Sequence, residues 1–434
     1  VVTNTIEEDQ RRDRIKFMPA SESEHPNVDV RMRGFARRTT VEDALAWIDS
    51  KLRDCGELDV EDVPLVRAAG RVLARDVVSP VNVPAFVRAM MDGLAVVAED
   101  TLGATNYNPL PLKISGLCLP SQPFQEKVTS GDAVQIMTGA PLPDGADAVL
   151  PIEYVRLDGQ RALAMGEVSP GKHVGQLGED VRAGDIVERQ GRVLRPQDIG
   201  MLSSLGFSSV PVIRQPRARI LITGNELLPA GTPPEDFRIT DANGPMLTTL
   251  VARDGGEPIT GPIVPDDRNA ILAALRDDAD VVLVSGGSSV GQEDYVPMLL
   301  AEHGELAIHG IAMRPSSPTG LGRLDGRLVF LLPGNPVSCF CSYDFFAGRA
   351  IRALGGRSTD WPYRRITVRL SRKLVSVVGR VDYARVHVRD GFAEPLAVSG
   401  ASVLSSVTRA DGFVIVPADS EGFPAGAEVE AFLY

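Results

Sequence analysis

The chain has 434 residues, 44% of them hydrophobic and 24% charged, which suits a globular protein of several domains able to bury real cores. A formal charge of -12 argues against a nucleic-acid partner, which usually demands a basic field, while a local anion site stays open because nearby groups set the field in a cleft. Cys55, Cys118, Cys339 and Cys341 show no CxxC pairing, which argues against a disulfide framework or a zinc site.

No apolar run reaches the roughly 18 residues of a membrane span, and the first residues are too charged for a signal peptide. The expectation is a cytoplasmic protein without membrane insertion. Residues 1–37 mix charges without a sustained period and read as a disordered or loosely attached arm. Then "TTVEDALAWIDSKL" offers Thr40 as an N-cap and puts Val41, Ala44, Leu45, Trp47 and Ile48 at helical spacing. "ARDVVSPVNVPAF" (Ala74 to Phe86) reads as extended chain, and the following hundred residues, short apolar runs broken by Gly and Pro, read as a β-rich domain.

The texture changes at Arg217, where strand and helix patterns begin to alternate. "ARILITGNELL" is a strand meeting a Gly turn, and "DANGPMLTTLVARDG" is a helix with an Asp/Asn start and a Gly stop. "EPITGPIVPDD" precedes the helical "RNAILAALRDDA", and "DVVLVSGGSSVG" precedes "EDYVPMLLAEHG". "LAIHGIAM" and "GRLVFLLPGNPVS" supply further strands, the latter running into the helical "SCFCSYDFFAGRAI". The alternation predicts an α/β fold with a doubly wound parallel sheet covered on both faces. After about Asp360 the helices give way to "RRITVRL", "YARVHV", "GFVIVP" and "EVEAFLY", a small C-terminal β-domain.

In an open parallel sheet, ligands bind beyond the carboxyl ends of the strands. Four loops leave such ends: Thr223 to Glu226, Pro265 to Asp267, Ser285 to Ser289, and Pro333-Gly334-Asn335-Pro336. Gly286, Gly287 and Gly291 let backbone amides approach an anion, and the Ser288 and Ser289 hydroxyls add donors. A phosphate is the natural guest. Glu226, Asp266 and Asp294 would repel a bare phosphate but suit one carrying Mg²⁺. The bland reading stays open beside this one: a Gly-rich turn that is only a turn, and acids that are caps or solvated loop residues. The stretch is neither a P-loop nor a GxGxxG fingerprint, and the five histidines form no metal-binding pair.

With these loops in order, the chain resembles the molybdopterin molybdenumtransferase family, MoeA in bacteria and the gephyrin E-domain in animals. The resemblance rests on "RAMMDGLAV" (88–96), "IMTGAPLPDGADAVLPIE" (136–153), "GEDVRAGD" (178–185), "ITGNEL" (222–227), "DANGPML" (241–247), "SGGSSVGQEDY" (285–295), "LPGNPVS" (332–338) and "GRVDYARV" (379–386). It implies a homodimer of four-domain subunits: a dimer-forming domain over 38–79 plus 181–212, a β-rich domain over 80–180 that lines the partner's cleft, an α/β molybdopterin-binding domain over 213–360, and the β-domain 361–434. It also implies a reaction in which molybdate is inserted into adenylylated molybdopterin with Mg²⁺ and release of AMP, and a molybdopterin adenylyltransferase as a partner. By motif, Asp92 and Thr138 would reach the cleft from the partner subunit. Glu226, Asp266 and Asp294 would be the functional acids, with Asp294 and Asp266 on the metal. Arg385 would contact the oxyanion.

The departures fall on the oxyanion site. Gly310, Arg314 and Ser317 stand where the family commonly has three lysines, Gly175 replaces a frequent arginine, and Ala401 falls at an expected oxyanion-binding serine unless the register slips to Ser402. Each lost charge-assisted hydrogen bond is worth on the order of 1.5–3 kcal/mol. Three readings follow: a molybdenum-inserting enzyme with a variant pocket formed by Arg314, Ser317, Arg385 and Ser402; a gephyrin-like scaffold that binds a partner's peptide; or a transferase or hydrolase acting on another phosphorylated ligand.

Overall fold

The computed structural model describes residues 38–56, 58–286 and 295–434. The arm expected over 1–37 lies outside them, as do Gly287, Ser288, Ser289, Gly291 and Asp294. Among the described residues, no helix is long and apolar enough to cross a membrane.

The first helix, Val41–Cys55, starts where the sequence places its cap: Thr40 Oγ1 accepts from Asp43 N at 3.0 Å. Its buried face, Val41, Ala44 and Ile48, joins the core of the central α/β unit, and Asp49 Oδ1 accepts from Arg349 Nε at 2.8 Å. The chain then pairs Val60–Pro64 antiparallel with the distant Ser209–Ile213, and Val77–Val78 with Ile186–Glu188, over a core that includes Leu73, Leu194, Leu202 and Val212. Between these strands lies a six-stranded sheet in the order Ala148–Pro151, Gly93–Val96, Asp132–Ile136, Leu110–Cys118, Arg161–Ala164, Val155–Asp158.

The central sheet also has six strands, in the order Glu257–Ile259, Arg217–Ile222, Val281–Ser285, Arg327–Leu332, Gly320–Leu324, Glu305–His309. The first four run parallel, Gly320–Leu324 runs against them, and Glu305–His309 pairs antiparallel with it, so the sheet is mixed rather than wholly parallel. The cause is local. Asp325 and Gly326, at φ of 48° and 83°, form a two-residue turn that folds Gly320–Leu324 back on Arg327–Leu332 as a hairpin. The "LAIHGIAM" stretch likewise divides at Gly310, whose φ is 95°. Its first half ends the central sheet, whereas Met313–Arg314 pairs with Val381 and Asp382 of the C-terminal unit.

That unit is a closed barrel, in which Val381–Arg389, Phe392–Ala397, Arg364–Leu370, Glu428–Leu433 and Gly412–Val416 pair in turn and the last returns to the first. Met313–Arg314 thus stitches the α/β unit to the barrel.

Candidate functional site

Strands Arg217–Ile222, Val281–Ser285 and Arg327–Leu332 end on the same edge, where Gly286 and the loops after Ile222 and Leu332 border a cleft of about 510 Å³. Thr223, Glu226, Asp241, Asn243, Ser285, Gly286, Gly334, Asn335, Pro336 and Ser402 line it. The backbone approach excludes a side chain at Gly286, where at φ 100° a Cβ would lie 2.0 Å from the Thr223 carbonyl oxygen, whereas a Cβ on Gly334 would make only ordinary contact, 3.8 Å from Gly286 Cα.

The Asp266 carboxylate does not line the cleft but braces its rim: Oδ1 accepts from Thr223 Oγ1 at 2.7 Å and Oδ2 from Asn225 N at 3.0 Å. Asp267 next to it caps the following helix, accepting from Asn269 N and Ala270 N at 3.0 and 2.9 Å. Pro333 is outside the lining, one residue before it. Two residues the motif reading did not single out are central. Asp241 Oδ1 accepts from Asn243 N and Gly244 N, both at 2.9 Å, at the start of helix Asn243–Arg253. Asn243 Nδ2 donates to Ser285 Oγ at 2.8 Å and to the Gly334 carbonyl at 2.7 Å, tying three loops together. The Asp/Asn start of "DANGPML" carried the signal, and its reading as a helix cap accounts for Asp241 alone.

The oxyanion candidates gather where the barrel meets the helix Pro336–Ser342, which begins in the cleft. Val337 N donates to the Ala401 carbonyl at 2.9 Å, so the loop bearing Ser402 is laid along the cleft wall. Arg385 Nη2 donates to the Ser399 carbonyl in the same loop. On the helix's other flank, Ser316 Oγ donates to the Ser338 carbonyl at 2.7 Å, which fixes the turn between Arg314 and Ser317. Arg385 is fully buried, and its Nε and Nη1 have no partner among the described residues; nor do Arg314 Nε and Ser317 Oγ. Burial pulls the Arg385 pKa down, and the neighbouring Arg314 charge acts the same way. Arg314 itself has Asp382 at 3.8 Å, a carboxylate already engaged by Arg380 Nε at 2.9 Å and Ser376 Oγ at 3.0 Å. Guanidinium and hydroxyl donors of this kind are the groups that hydrogen-bond an oxyanion well.

Asp92 and Thr138 meet each other, away from this cleft in their own chain. Thr138 N and Oγ1 both donate to Asp92 Oδ1 at 2.7 Å, and these bonds, the backbone one first, hold the Asp92 carboxyl below its ordinary pKa. At Gly175, the arginine departure, a Cβ would lie 2.9 Å from Glu179 Oε1 and 3.4 Å from Arg88 Nε, two groups that pair with each other at 3.7 Å. Among the described residues, no group of three or more His, Cys, Asp or Glu is placed to hold a metal.

Three family models match the chain in order: the MoeA N-terminal region (domain I and II) over residues 39–206, a "Probable molybdopterin binding domain" over 219–353, and the MoeA C-terminal region (domain IV) over 367–434. Molybdopterin molybdenumtransferase 2 of Mycobacterium tuberculosis is 33% identical over 384 residues, 85% of this chain and 94% of that one. The chain belongs to the MoeA family. The molybdopterin molybdenumtransferase of Haemophilus influenzae is 32% identical over 379 residues, 85% of this chain and 92% of its own. A crystal structure of the molybdopterin biosynthesis MoeA protein from Pyrococcus horikoshii superposes with a TM-score of 0.77 at 33% identity, covering 92% of this chain and 99% of the other. Within the MoeA frame, the cleft loops fall in the middle match, Arg385 and Ser402 in the C-terminal match, and Asp92 with Thr138 in the N-terminal match.

Proposed function

We propose that this MoeA-family chain is a transferase of molybdenum cofactor biosynthesis that inserts molybdate into adenylylated molybdopterin, releasing AMP. One observation carries the reading beyond family membership: the loop that brings Ser402 into a cleft lined by Gly286 and Gly334 also accepts a hydrogen bond from buried Arg385, and Arg385, Arg314 and Ser317 each keep a donor without an acceptor among the described residues. The phosphoanhydride would lie against Gly286 and Gly334 to Pro336, and the oxyanion against Arg314, Ser317, Arg385 and Ser402. Carboxylates are the donors Mg²⁺ prefers, and Glu226 and Asp241 in the lining, with Asp266 at the rim, bring that chemistry to the cleft. Asp266 and Asp294 would hold it, Asp266 through the lone pairs its two rim hydrogen bonds leave, and the ion would supply positive charge to the phosphate oxygens.

Within this reading the chain's own residues position and neutralise. The rim held by Asp266 keeps Glu226 at the cleft mouth. Arg385, desolvated and without a carboxylate partner among the described residues, supplies an uncompensated charge for a doubly charged oxyanion. Asp92 and Thr138 would enter from the partner subunit of a homodimer. All four cysteines are free thiols, which suits the cytoplasm. The test is incubation with adenylylated molybdopterin and Mg²⁺, with and without molybdate, following AMP. Molybdate-dependent AMP release is expected; pterin binding with no release at any molybdate concentration would sink the proposal.

A further inference from the structure

The cleft contains a hydroxyl whose hydrogen-bond direction is dictated by its neighbours. Asn243 is nine-tenths buried, and the Gly334 carbonyl at 2.7 Å can only accept, so the atom facing it must be the amide nitrogen. That orientation also makes Asn243 Nδ2 a donor to Ser285 Oγ at 2.8 Å. It leaves Asn243 Oδ1 buried without a partner among the described residues, a cost the flipped amide would only worsen by opposing two carbonyl oxygens. From the other side, the Cys339 thiol donates weakly to the same Ser285 oxygen at 3.8 Å. Burial pushes that thiol's pKa up to about 12, so it keeps its proton.

A serine hydroxyl has one proton to give and two lone pairs. Here both lone pairs are taken, and among the described residues Ser285 Oγ donates to nothing. Ser285 lines the cleft beside Gly286 and Gly334. We infer that Asn243 is a positioning residue that presets the Ser285 hydroxyl as a donor to a phosphate oxygen of the ligand in this cleft. A preset donor costs no reorientation on binding and discriminates for an acceptor at that spot. This assignment rests on the phosphate reading of the cleft and adds to it a residue pair and a polarity.

The test is calorimetric titration of adenylylated molybdopterin, without molybdate, into wild type, Ser285→Ala, Asn243→Ala and the double variant, with thermal melts of each. Loss of a hydrogen bond to a charged oxygen predicts binding about tenfold or more weaker for Ser285→Ala. Asn243→Ala should weaken binding too, but add little once Ser285→Ala is present, because it acts through that hydroxyl. Should Asn243→Ala melt too low to titrate, the neutral, shorter Asn243→Ser takes its place and should show the same loss and the same non-additivity. An Asn243 that merely held the loops would cost as much in the Ser285→Ala background as alone, and that result overturns the inference. So does a Ser285→Ala affinity indistinguishable from wild type, with the phosphate reading left standing. No binding by wild type overturns that reading and this one with it.

Discussion

Arg385 holds a full charge where nothing among the described residues neutralises it, and Arg314 beside it shares its carboxylate with Arg380. That asymmetry says which charge an oxyanion would feel and how a substitution should read out. Arg385→Ala is expected to raise the apparent molybdate constant for AMP release by roughly tenfold or more, and Arg314→Ala to raise it by less, with pterin binding little changed in both. The family's three lysine positions are not equivalent in this backbone. Gly310 is buried with φ at 95°, where a side chain is strained, whereas Ser317 is half-buried with a hydroxyl that has no partner among the described residues. Ser317→Lys should therefore lower the molybdate constant, and Gly310→Lys should lower the melting temperature without that gain. Kinetics and melts of the two variants side by side decide it; a Gly310→Lys protein as stable as wild type would remove the backbone explanation for the missing lysine.

Adjacent acids with different duties show how far local pattern reaches. Asp267 caps helix Arg268–Leu275, and Asp266 braces the rim of the cleft. Asp267→Ala should cost about 1 kcal/mol of stability and leave AMP release intact, and Asp266→Ala should impair release with a smaller effect on the melt. Helix Pro196–Ser204 supplies a pH test. Asp198 accepts from Arg195 Nη2 at 2.8 Å and from Arg195 N at 2.8 Å, and the Arg195 side chain foremost holds its carboxyl well below the usual range. A carboxylate with a depressed folded pKa stabilises above its unfolded pKa, and that contribution is lost as pH falls through the folded value. Asp198→Asn should thus lower the melting temperature at neutral pH, with the gap to wild type closing below about pH 4. Caps, turns and the strand–helix alternation were legible because each is written within a few residues: Thr40 before its helix, the Asp and Asn of "DANG", the glycines where loops touch. The hairpin at Asp325-Gly326 was equally local, yet its "TGLGRL" strand is too poor in β-branched residues to show the period. Asn243's role and the burial of Arg385 were out of reach, since each depends on segments brought together from far along the chain.

The arrangement of the units carries the last prediction. Asp92 and Thr138 form a preset pair on the N-terminal unit, but they do not line the cleft bounded by Glu226 and Gly334 of the same chain. The Asp92 carboxyl, held below its ordinary pKa by two donors from Thr138, is a fixed negative charge on the exposed surface of the N-terminal unit. If a second copy supplies the facing cleft, the active site is divided between subunits, and complementation is a matter of counting. An Asp92→Asn homodimer and a Glu226→Gln homodimer would each have two defective clefts. After mixing and subunit exchange, half of the subunit pairs would be mixed, and each mixed dimer would hold one cleft with both defects and one with neither. Equal amounts should then recover roughly a quarter of wild-type AMP release, the statistical share of intact clefts under free exchange. Size-exclusion chromatography with differently tagged subunits shows whether exchange took place. Mixed dimers formed without any recovered activity would place Asp92 and Glu226 in one cleft of one subunit, or remove Asp92 from the reaction.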